Sequence, residues 1–143
     1  MKIVERNFEG VELGSKLPSE RKGPITTKQM VRWAAGSGDF NPIHYDKDFA
    51  LSEGLPGVIM AGPMKAAMLV HFLCRWAGSL GSVRSMECRY RGMDVPGNTL
   101  IIGGKVAEKI ANSKGGWVVC EVWTQNQNGE VTTTGTARIL LGS

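Results

Sequence analysis

Histidine is scarce in this sequence: 143 residues contain two, His44 and His71. Cysteine is almost as rare, and Cys74, Cys88 and Cys120 lie far apart, outside any Cys-x-x-Cys pair. Neither a metal centre nor a disulfide framework is expected from such a set, and the thiols read as buried groups in a reducing compartment. Long apolar runs are missing as well. The longest, Met64 to Leu73, is broken by Lys65 and His71 and is too short to span a bilayer. The opening "MKIVERNFEG" lacks the apolar core of a secretory leader, so a cytoplasmic address is expected. Runs of one charge are also absent. The net charge of +4 favours anionic partners in general, such as a phosphorylated small molecule or an acidic carrier protein. Because the Lys and Arg residues are scattered, no nucleic-acid interface is expected.

No repeat, low-complexity tract or Gly/Ser linker divides the chain, and residues 1–143 read as one domain large enough to bury a core. What changes along it is the hydrophobic period. "TTKQMVRWAAGSG" places Thr26 three residues before Gln29, a capping-box spacing. Met30, Val31, Ala34 and Ala35 then suggest an apolar face, and Gly36 and Gly38 a stop. "DKDFALSEG" reads as a short helix opened by Asp46 and closed by Gly54. "AGPMKAAMLVHFLCRWAG" reads as the main helix, with Pro63 in its first turn and Gly78 just past its end. That helix is apolar nearly all round, which implies burial on most sides.

After Gly81 the period shortens to that of strands. "SVRSMECRYR" alternates Met86, Cys88 and Tyr90 against Glu87, Arg89 and Arg91. "NTLIIGGKVAEKI", "GWVVCEVWTQN" and "VTTTGTARILL" follow, the last two separated by the hairpin signal Asn128-Gly129. An earlier strand, about Lys16 to Thr26, contains Pro18 and Pro24 and is expected at a sheet edge. The fold class is α+β: a strand, a helical insertion, one long buried helix, then antiparallel strands. A sheet wrapped on a single helix leaves an edge and apolar surface open, and dimerisation would cover both.

"GDFNPIHYD", residues 38–46, sits between these elements. Pro42 disfavours helical geometry at Asn41 and stiffens the loop, so Asp39 and His44 can be held in a fixed relation. A carboxylate and an imidazole within reach of one water or one substrate proton are what acid–base chemistry needs. Asn41 adds an uncharged donor and acceptor that can orient either group. Each piece also has a plainer use, since Gly-Asp and Asn-Pro are common turn formers.

The longer string "SGDFNPIHYDKDFA" resembles the signature of the MaoC-like dehydratases, which include the (R)-specific enoyl-CoA hydratases. It has the Asp-x-Asn-Pro-hydrophobic-His pattern, with the small residue Ala50 six positions on. The resemblance implies the hot-dog fold, an antiparallel sheet around a long central helix with an overhanging segment that carries the Asp and His. It implies Asp39 and His44 as a catalytic pair holding a water, with Asn41 in support. It further implies reversible addition of that water to an α,β-unsaturated acyl thioester, giving a 3-hydroxyacyl thioester of R configuration. No cofactor is implied beyond the CoA or acyl carrier protein that belongs to the substrate.

Negative charge developing on the thioester oxygen needs a donor, and a helix N-terminus supplies one. The family's glycine at that place corresponds to Gly62. Its preceding histidine is replaced by Ala61, Pro63 removes a neighbouring N–H, and a serine of some relatives stands at Ala67. Lys65 is a cation beside the positive end of a helix, which a nearby anion or exposure to water would explain. Lys65, Arg89 and Arg91 are therefore candidate contacts for the substrate's phosphates, although the arginines equally suit a solvated strand or a dimer interface. His71 reads as a core or interface histidine. The Met-rich stretch Met60 to Met68 suits core filling or a pliable acyl pocket. Two other functions stay open. A hot-dog thioesterase would carry an acid on or near the central helix, and Met64 to Ala77 has none. The chain would otherwise be one subunit, catalytic or acyl-binding, of a heterodimer rather than of a homodimer or higher oligomer.

Overall fold

The capping box and the glycines set the helices. In the computed structural model, which describes residues 4–143, Thr26 Oγ1 accepts from Gln29 N at 3.2 Å and Gln29 Oε1 accepts from Thr26 N at 2.8 Å. Helix α1 (Thr27–Ser37) follows. Gly36 lies inside it, and the stop is Gly38, whose φ of 74° lets its N–H close on Ala34 O. Met30 and Ala34 are buried, whereas Val31 and Ala35 face solvent, because one residue along a helix is a rotation of about 100°. A 3₁₀ turn over Pro42–His44 and α2 (Lys47–Ser52, capped by Asp46) complete the insertion. Residues 1–3, the start of the segment inspected for a leader, lie outside the described residues.

The long helix α3 spans Gly62–Ala77 and ends at Gly78. Leu69, Phe72, Leu73 and Trp76 bury its inner side against the sheet, each worth about 1.5–3 kcal/mol relative to exposure. Burial on most sides is as expected, and one stripe stays open: Pro63, Ala67, His71 and Cys74 are exposed. His71 is thus a surface residue of the single chain.

Strands β1 (Lys16–Lys22), β2 (Gly81–Tyr90), β3 (Leu100–Asn112), β4 (Gly115–Gln125) and β5 (Val131–Gly142) form one sheet in the order β1-β3-β4-β5-β2, every pair antiparallel. This sheet packed on α3 is the α+β hot-dog arrangement. The proline-bearing strand is at one edge, as expected; β2 is at the other. The β4–β5 hairpin does turn at Asn128-Gly129. Its loop is wider than a two-residue turn because Asn126 Oδ1 gathers the N–H groups of Asn128 and Glu130.

Two apolar clusters result. One lies between α3 and the sheet, centred on Leu69, Leu73, Ile102, Val118 and Ile139. The other lies under the helical insertion and joins Ile25, Met30, Ala50, Val58, Met60, Ala61, Met64 and Leu100, with Met68 packed against both. Burial also sets thiol reactivity. It raises the Cys88 thiol and pushes Cys120 up to about 12, while Cys74 is exposed. Treatment of the native protein with a thiol reagent near pH 8 is expected to spare Cys120 until the chain is unfolded. Early loss of the Cys120 peptide in a mass map would contradict this packing.

Candidate active site

The stop at Gly38 releases the chain from α1 directly into Asp39, and short-range bonds then shape the loop. Asp39 N donates to Ser37 Oγ, Asn41 N to Asp39 Oδ1 at 3.3 Å, and Ile43 N to Asn41 Oδ1 at 3.3 Å. Asn41 is therefore the N-cap of the Pro42–His44 turn, with Pro42 at the position where a missing N–H costs nothing. Tyr45 Oη donates to Phe40 O at 3.0 Å and closes the outer side of the loop. The expected support from Asn41 is thus a backbone role: it forms the turn that presents His44.

His44 is fixed more tightly than Asp39. Its Nδ1 lies 2.7 Å from Ile59 O, and Ile59 N in turn donates to Ile43 O at 3.0 Å. A carbonyl oxygen only accepts, so Nδ1 carries the proton and Nε2 of the neutral ring presents its lone pair. That Nε2 faces Asp39 Oδ2 at 3.6 Å. The gap is too long for a direct hydrogen bond and suits a water or a substrate hydroxyl touching both groups. The His44 side chain is 11% exposed and that of Asp39 39%, so the imidazole is enclosed and the carboxylate opens to incoming solvent.

Gly62 is bound to the same framework. It is three Cα steps from Ile59, hence within about 11 Å of it. It is also the first residue of α3, after the N-cap Ala61. In that first turn Pro63 has no N–H, and Met64 N already donates to Ala61 O at 3.1 Å. The Gly62 N–H is the first-turn donor left at the positive end of a sixteen-residue helix. A Cβ at Gly62 would come within 2.7 Å of the Tyr90 ring, so glycine is what permits this approach. Gly62→Ala is expected to cost about 1–3 kcal/mol through overpacking, and Tyr90→Ala in the same chain to recover most of it. Additive melting-point changes in that double-mutant cycle would contradict the contact.

Against known families, residues 9–133 match the MaoC like domain. The chain belongs to the MaoC-like family. Membership carries the general reaction type, that of a hydratase or dehydratase acting on acyl thioesters. Fatty acid synthase subunit beta of Saccharomyces cerevisiae is 29% identical over 131 residues, 90% of this chain and 6% of that protein. The chain thus spans a small fraction of that curated relative. Among solved structures, the R-hydratase PhaJ1 from Pseudomonas aeruginosa superposes with a TM-score of 0.86 at 22% identity, covering 96% of this chain and 86% of that one. A chain of the ChsH1-ChsH2 complex from Mycobacterium tuberculosis superposes at 0.80 with 20% identity, covering 91% of this chain and 98% of that one. At these identities the structural likeness speaks for the fold.

Within this MaoC-like frame the three candidate phosphate contacts do not converge. Lys65 is corrected by the structure: it is 2% exposed, and its Nζ is 2.9 Å from Asp94 Oδ2 and 2.8 Å from Gly92 O. The anion that explains a cation in the first turns of α3 is a side chain of the protein itself. Arg89 and Arg91 line a shallow cleft of about 550 Å³ with Trp123, Thr134 and Thr136, and neither Asp39, His44 nor Gly62 is among its lining residues. Among the described residues no cluster of His, Cys, Asp and Glu could hold a metal ion, and no helix is long and apolar enough to cross a membrane. Sequence reasoning missed the Ile59 carbonyl, the Tyr90 ring over Gly62, and Asp94. The first is a backbone atom and carries no residue signal. The other two are contacts across the fold.

Proposed function

We propose that this MaoC-like chain adds water reversibly across the α,β double bond of an enoyl thioester, with Asp39 and His44 as the acid–base pair and Gly62 as the oxyanion donor. The observation that carries this reading is the 3.6 Å Asp39–His44 pair whose tautomer Ile59 O determines. A water between the two groups gives one proton to the pair as its oxygen bonds to Cβ, and that proton passes to Cα. Electron density moves onto the thioester oxygen, where the Gly62 N–H at the end of α3 meets it. Dehydration is the same path reversed. The likeness to PhaJ1, named as an R-hydratase, supports R configuration at the new hydroxyl, and the likeness to a fatty acid synthase subunit supports a fatty acyl substrate. Arg89 and Arg91, at and just beyond the end of β2 on either side of Tyr90, are offered as contacts for the phosphates of CoA or an acyl carrier protein.

The open β2 edge and the exposed stripe of α3 favour a second chain beside this one. The ChsH1-ChsH2 likeness supports a related subunit as the alternative to a second copy. Reaction type is tested with crotonyl-CoA, following the enoyl-thioester absorbance and free thiol together. Loss of absorbance without thiol is expected. Thiol release at the same rate would move the chain to the thioesterases.

A further inference from the structure

Lys65 and Asp94 are the most deeply buried ionic pair described, at 2% and 0% side-chain exposure. Their bonds form a connected set. Lys65 Nζ donates to Asp94 Oδ2 at 2.9 Å, to Gly92 O at 2.8 Å and to Thr132 O at 3.4 Å. Asp94 Oδ1 accepts from Asn98 Nδ2 at 3.3 Å, and the Asp94 backbone oxygen accepts from Met60 N at 2.8 Å. Three segments therefore meet at one carboxylate residue: the start of α3, the β2–β3 loop that follows Tyr90, and the 58–61 segment. The last is the segment whose Ile59 carbonyl accepts the hydrogen bond from His44 Nδ1 and whose chain continues into Gly62.

Two well-packed apolar side chains would fill the same volume, and in proteins such replacement is often neutral or stabilising. They would fix no direction. Packed apolar groups tolerate a helix sliding or rotating by a fraction of an ångström, while three bonds from one ammonium and a carboxylate held from both sides do not. A displacement of about 1 Å is enough to slow a positioned reaction severely.

We propose that the Lys65–Asp94 pair is the positioning clamp of the site, setting the Gly62 N–H and the Ile59 carbonyl in register so that the donor and the correct His44 tautomer face one substrate. It rests on the reading of Asp39, His44 and Gly62 given above. Neither Lys65 nor Asp94 touches the reacting atoms; both act through the 59–62 segment.

The test is the double variant Lys65→Met/Asp94→Leu, which removes both charges and keeps the volume, compared with the wild-type chain at matched folded fraction. Hydration of crotonyl-CoA is expected to lose ten-fold or more in kcat with KM changed less than two-fold. Nitrogen-15 shifts of the imidazoles report the clamp without any turnover, and His71→Gln leaves His44 as the sole histidine. The wild-type His44 is expected to show a single Nδ1–H tautomer, the double variant a mixture. The Met60 amide is expected to exchange at least ten-fold faster in the variant. If the wild-type chain hydrates nothing, the hydratase reading falls, while the tautomer and exchange results still decide the clamp. A folded double variant with the wild-type tautomer, Met60 protection and kcat would overturn it.

Discussion

His44→Ala is expected to lower kcat for hydration by about 10²–10⁴-fold, the range general acid–base groups contribute. The same substitution should cost little stability, because it removes one bond to the Ile59 carbonyl, worth about 1 kcal/mol net. Asp39→Asn should produce a comparable loss for a different reason. An amide keeps the shape of the carboxylate and can still accept from Asn41 N, but it cannot share a proton with Nε2 across a bridging water. The two losses should not add. Groups that act as a unit leave little for the second substitution to remove. Activity in the double variant close to that of either single variant is the expected pattern. Multiplicative losses would mean that Asp39 and His44 work at separate steps. Melting curves run beside the assay separate chemistry from folding, since neither change disturbs either apolar cluster.

Breaking the Lys65–Asp94 pair on one side is expected to be the largest stability effect in the chain. Asp94→Leu alone leaves an ammonium at 2% exposure with only backbone carbonyls for partners, and loss of one member of a buried pair costs about 3–5 kcal/mol. For a chain of this length that corresponds to a fall in Tm of roughly 10–15 °C. Lys65→Met alone should cost a similar amount, because the Asp94 carboxylate then keeps only Asn98. Removing both charges together should restore most of the loss. Urea titrations of the four proteins measure this directly, and equal destabilisation in the double variant and the singles would contradict a buried, mutually compensating pair.

The fold was legible in the sequence where local chemistry dictates it. Thr26 with Gln29, Asp46, Pro63 and Gly78 marked the helix ends, while alternation marked β2 and the Asn128-Gly129 signal marked the β4–β5 hairpin. Pro18 put β1 at an edge before any pairing was known. Legibility faded where position depends on what lies across the core. Val31 and Ala35 are apolar yet exposed, since a weak helical stripe does not say which of two adjacent residues turns inward. Tyr90 continues the inward row of Met86 and Cys88, but at the end of an edge strand it is half exposed and turns over Gly62. Lys65 read as a candidate phosphate contact, its anion unidentified, because no sequence rule pairs a lysine on α3 with an aspartate in a loop twenty-nine residues later. The candidate site divides the same way. Asp39, Asn41 and His44 lie within one short string and could be read together. The Ile59 carbonyl that determines the His44 tautomer left no trace in residue identity.

The central claim is that water held by Asp39 and His44 goes to Cβ of an enoyl thioester, and oxygen-18 labelling tests it most directly. Crotonyl-CoA would be turned over in H₂¹⁸O and the products read by mass spectrometry. The account predicts one oxygen-18 in the C3 hydroxyl of an intact 3-hydroxyacyl thioester, with no free CoA. Label found instead in a released carboxylate would contradict it, and would show that the same pair directs water at the thioester carbonyl.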